Sequence, residues 1–130
     1  MKENIIIISI LAIILVGDIT AKKYLYKTSD EIISKVEDLK QKTIVAKETK
    51  EREKIIEEMS EIDKRWKEVN KVWSTIVVHQ ELDNVEQALI KAKSNIENGE
   101  LEDALQEIET SKFFLEHIKD REKLCLKNIL

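Results

Sequence analysis

The chain has 130 residues, of which 42% are apolar, 37% charged and 5% aromatic, with no proline, two glycines and one cysteine. So little turn chemistry argues against β architectures and for long helices, so the expected fold class is all-α. A net charge of −4 lacks the excess of Lys and Arg that phosphate binding requires, which excludes nucleic acid as a partner. The lone Cys125 rules out an intrachain disulfide and a four-cysteine zinc site, and reads as a small buried apolar residue.

The first element is the uncharged run IIIISILAIILV, which begins at Ile5 and ends at Val16. A spanning helix needs about 20 mostly apolar residues and a secretory signal core about 7 to 15, so the run alone fits the second. Extended to Leu25, it takes in Asp18, Lys22 and Lys23 near one end, where long side chains reach the headgroups, and brings Tyr24 and Tyr26 to an aromatic belt. Signal cleavage favours small residues at the −3 and −1 positions, and Ile19-Thr20-Ala21 supplies only the second. A membrane anchor is therefore preferred to a cleaved signal, with a buried soluble helix third. Residues 1–27 are assigned to anchor and juxtamembrane segment, and residues 28–130 to a helical-bundle domain. The positive charges of Lys22, Lys23 and Lys27 favour a cytoplasmic bundle, whereas so short an amino-terminal tail favours staying inside itself. The expectation adopted is a single-pass protein of the cell membrane with its bundle extracytoplasmic.

Thr28-Ser29-Asp30-Glu31 has the form of a capping box and predicts that a helix starts, or is re-set, at Thr28. Ile32, Val36, Leu39, Thr43 and Ala46 follow at alternating steps of four and three, until KETKEREK, residues 47–54, marks a turn or a solvated stretch. Ile55, Met59, Ile62, Trp66, Val69, Trp73 and Ile76 then keep the 3.5-residue period of coiled-coil packing. Val78, Leu82, Val85, Leu89, Ala92 and Ile96 carry a second stripe offset by two, and the β-branched run 75–78 is where a helix through both would bend or end. Glu97-Asn98-Gly99-Glu100 reads as a helix end and tight reversal. The last helix runs through Leu101, Ala104, Ile108, Leu115, Ile118, Cys125 and Ile129. A reversal at Asn98 and Gly99 sets Ile96 against Leu101, Ala92 against Leu105, Leu89 against Ile108, Leu82 against Leu115 and Trp73 against Leu124. The expected architecture is an elongated antiparallel helical bundle behind an amino-terminal hydrophobic helix. It has three long helices, or four if the middle one breaks near Thr75.

The hydrophobic run, Trp66 and Trp73 ahead of the stretch at His79, Glu81, Leu82 and Asp83, and the closing Asn128-Ile129-Leu130 together resemble a bacterial family of short, anchored helical proteins, domain of unknown function 4363. The resemblance spans nearly the whole chain. It implies an address and a shape rather than a reaction and, through members encoded beside multi-pass membrane proteins, a membrane partner.

Candidate chemistry is sparse. The hairpin register brings His79 near His117, and with Asp83 one turn along, and Glu116 or Asp120 nearby, these could ligate a divalent metal. Both histidines flank the stripes, so ordinary boundary positions are the simpler reading. Thr75, His79 and Asp83, four apart, superficially order a hydroxyl, a base and a carboxylate, yet successive turns of one helix supply no oxyanion hole. No glycine-rich phosphate loop exists, no cofactor is expected, and the chain reads as non-enzymatic. Trp66 and Trp73, one heptad apart, are most simply core knobs, alternatively a ligand-facing pair. Adjacent Phe113 and Phe114 cannot both enter a narrow stripe, so one is expected to make a sticky surface. The leading expectation is an interaction or accessory module, attached to the membrane through residues 5–16. It would use Trp66, Trp73, Phe113 and Phe114 toward an integral membrane partner or a second copy. The alternative is an exported ligand- or metal-sensing bundle built on His79, Asp83 and His117.

Overall fold

A computed structural model describes residues 1–46 and 48–129, and their side chains apart from those of residues 49 and 125–129. The readings placed on the side chains of Cys125 and Ile129 and on the apolar carboxy-terminal end lie outside the described residues. Four helices are present: α1 Lys2–Val45, α2 Thr49–Trp73, α3 His79–Glu97 and α4 Leu101–Ile129, with no strand among the described residues. Each packs on two neighbours in a ring, α1 on α2, α2 on α3, α3 on α4 and α4 on α1. The middle helix breaks, so the bundle has four helices rather than three.

The core follows the apolar stripes. Ile32, Val36, Leu39, Thr43 and Ala46 of the first stripe are all buried, as are Ile55, Met59, Ile62, Trp66, Val69 and Trp73 of the second. Each covers one face of its helix, which is how a 3.5-residue period places side chains against neighbouring helices. Leu82, Val85, Leu89, Ala92 and Ile96 on α3 face Ala104, Ile108, Leu115 and Ile118 on α4, all buried. Gly99, at φ +76°, closes this hairpin. Its N–H donates to the carbonyl of Ile96 at 3.1 Å and that of Glu100 to Asn95 at 2.8 Å, the paired bonds of a Schellman motif.

Three expectations are corrected. Thr28 starts no helix, because α1 runs unbroken through it; the Thr28 hydroxyl instead donates to the Tyr24 carbonyl at 2.7 Å. A capping box does occur, at the start of α2, where Glu48 and Glu51 bond each other's backbone N–H. In the turn between α2 and α3, Val77 is buried and Val78 exposed, because Ser74 to Val77 continue as a tightened helical end that shifts the stripe by one residue. Trp73 does not face Leu124, which is largely exposed. Its indole N–H donates to the Thr28 hydroxyl of α1 at 2.9 Å, since α2 ends before it could extend the α3–α4 register.

Four buried hydroxyl side chains satisfy themselves within their own helices. Thr28, Ser29, Thr43 and Ser111 are buried, and each hydroxyl donates to a carbonyl three or four residues back on its own helix. Such a bond removes most of the cost of burying the hydroxyl.

Candidate interaction surface and anchor

Two apolar features of the described surface bear on function. The larger is the amino-terminal half of α1. An 18-residue window there has a mean hydropathy of 2.4 and none of it is buried, and Ile10 and Ile13 stand 51% and 71% exposed. Aliphatic side chains so exposed in one continuous run are costly in water. Beyond the run, Lys22 Nζ lies 3.4 Å from the Asp18 carboxylate one turn back. Burial begins directly beyond, at Lys22 and Leu25.

The smaller feature lies between α3 and α4. Phe113 is 63% exposed; its ring stacks on His117, one turn along, with centroids 6.3 Å apart, and meets Phe114 edge-on at 5.8 Å. These rings border a recess of about 240 Å³ lined also by Glu81, Asn84 and Ile118. Glu81 accepts from Arg121 at 2.6 Å, with His117 Nε2 at 3.8 Å. The recess is smaller than the roughly 300–1,000 Å³ typical of small-molecule sites, and its scale suits an inserted side chain.

Of the four residues singled out for interaction, Phe113 is exposed and Phe114 half-buried. Trp66 and Trp73 are fully buried and pack edge to face, with ring centroids 5.6 Å apart at 90°, which withdraws them from any surface. His79 and Asp83 are exposed on the first turns of α3. Among the described residues no three His, Cys, Asp or Glu side chains come close enough to hold a metal ion, so His79, Asp83 and His117 are not gathered into such a site. Thr75 lies in the turn before α3 and donates to the Val72 carbonyl, so it does not share a helix with His79 and Asp83. Sequence reasoning missed Glu81 and Asn84 as neighbours of the aromatic pair and Arg121 as the partner of Glu81; the available signal was Glu81, two residues after His79 and facing α4.

The comparisons with known proteins bear on the chain as a whole. A family model described as a domain of unknown function, DUF4363, matches residues 19–129. The chain belongs to that family. In this DUF4363 chain the matched residues take in the later part of α1 and all of α2 and α3, and α4 to its end. No curated protein and no solved structure matches the chain.

Proposed function

We propose that this DUF4363 protein is a non-enzymatic, single-pass membrane protein. Its bundle stands outside the membrane and docks a partner, an integral membrane protein or a second copy, through the Phe113–Phe114 face. The observation that carries the reading is the continuity of α1, whose first half is apolar and uncovered while its second half is one wall of the bundle. Eighteen residues rise about 27 Å, close to the roughly 30 Å of hydrocarbon in a bilayer. Anchoring raises the effective concentration of any membrane partner, so a small apolar contact such as Phe113 suffices for association.

The test is made in intact cells stripped of their wall. Full-length protein should remain with the membranes after alkaline washing, and its bundle should be digested by added protease. Release on washing would refute the anchor, and protection of a membrane-bound bundle would place it inside. A photo-crosslinking residue at position 113 should give a discrete adduct where one at exposed Lys50 gives none. Equal labelling at both positions would remove the aromatic face from the proposal.

A further inference from the structure

The cross-helix ion pairs fix how α4 lies along α1. Lys112 bonds Glu37 at 2.7 Å, Lys40 bonds Glu109 at 2.6 Å, and Lys119 bonds Asp30. Each residue gained along α4 is therefore level with one residue lost along α1. Carried to its end, this register puts Leu124 level with Leu25 and the last residue of α4, Ile129, level with Thr20. On the opposite side, Trp73 bonds Thr28, so the α2–α3 turn emerges at about the same level, with Val78 exposed.

The base of the bundle thus comes down to where the apolar run of α1 stops. Nearest the run, its exposed side chains combine apolar Val78 and Leu124 with Lys23, Lys27 and Lys123, ahead of exposed Asp120 and Asp30 about one turn farther from it. Apolar groups shallow in the headgroup layer and lysines toward its phosphates form the pattern of an interfacial contact. With α1 unbroken between span and bundle, no linker separates them: the span sets the depth of the base.

We propose that the base of the bundle, formed by the α2–α3 turn and the end of α4, is a second membrane contact seated in an anionic headgroup layer. It rests on the reading of the apolar run as the anchor. The test is site-directed spin labelling of the full chain in vesicles containing anionic lipid, with Leu11, Val78, Leu124 or Lys50 replaced by Cys. The background is Cys125→Ser, or Cys125→Ala if the serine variant loses the wild-type helical circular dichroism. At positions 78 and 124 collisions with a water-soluble nickel chelate should be several-fold fewer than at position 50, and the difference should shrink in purely zwitterionic vesicles. Labels at 78 and 124 as accessible as that at 50, with the label at 11 in lipid, would overturn the contact and leave the anchor standing. A water-accessible label at 11 would overturn both. Shielding indifferent to anionic lipid would refute the role of the lysines.

Discussion

Trp66 and Trp73 are equally buried, in edge-to-face contact, and differ in one respect. The Trp73 indole N–H is bonded to Thr28, whereas that of Trp66 has no partner among the described residues. Replacing either by Phe removes a similar volume, so the comparison isolates the hydrogen bond. Trp73→Phe should cost more stability than Trp66→Phe by about 1 kcal/mol in urea unfolding. Equal losses would mean that the Thr28 bond contributes nothing net. Their core placement was readable from the heptad spacing, because a period reports which face is covered. The Thr28 partnership was not readable, because it joins residues of two helices whose relative height no local pattern encodes. The same reason hid Glu81 and Asn84 beside Phe113, although the hairpin register had already brought His117 to the start of α3.

At the scale of elements, the α3–α4 hairpin was the most legible part, since a positive-φ glycine and two complementary stripes leave one register that buries both. Gly99→Ala should lower stability by roughly 1–2 kcal/mol through the left-handed conformation alone. The added methyl would also lie 2.6 Å from the Arg52 guanidinium of α2, a flexible group that can shift. A variant melting like the wild type would show that the reversal tolerates another backbone conformation. The α2–α3 break was harder. Thr75 to Val78 are β-branched, which lowers helix propensity only slightly, so the sequence left three and four helices open. Thr28 misled for a related reason: a threonine that bonds its own preceding turn can sit mid-helix, yet it carries the letter pattern of a cap.

For the whole molecule, ion pairs tie α1 to both neighbours. Arg65 donates to both Glu31 oxygens, and Lys112 to Glu37; these bonds hold the two carboxyls below their ordinary range. Hydrogen bonding to Glu58 and to Glu37 raises the Lys42 and Lys112 ammonium groups. Carboxylates with lowered values stabilise the fold above the unfolded value of 4.5, and that contribution disappears as pH falls through their folded values. The raised lysines stabilise below 10.5 and lose their effect as pH climbs past their folded values. The melting temperature should therefore be flat through neutrality and fall at both extremes, modestly and less so in high salt, because these groups are largely exposed. A melting temperature that rises between about pH 5 and pH 3 would contradict the assignment. Glu122 opposes the trend: burial raises its carboxyl, so ionisation works against folding as pH rises. Glu122→Gln should increase the melting temperature at neutral pH, and a decrease would show that its attraction to Lys22 outweighs burial.

The unbroken α1 also carries rotation. On the anchor proposed above, one end of α1 is held by lipid while the other forms a wall of the bundle, and because a helix turns about 100° per residue, α1 acts as a crankshaft. One alanine inserted after Gly17 would swing the Phe113 face about 100° around the helix axis while raising it only about 1.5 Å. On the proposed reading, the azimuth presented to a neighbour in the membrane plane is encoded in a residue count, and a partner that reads that azimuth would be lost and regained as residues are added through a full turn.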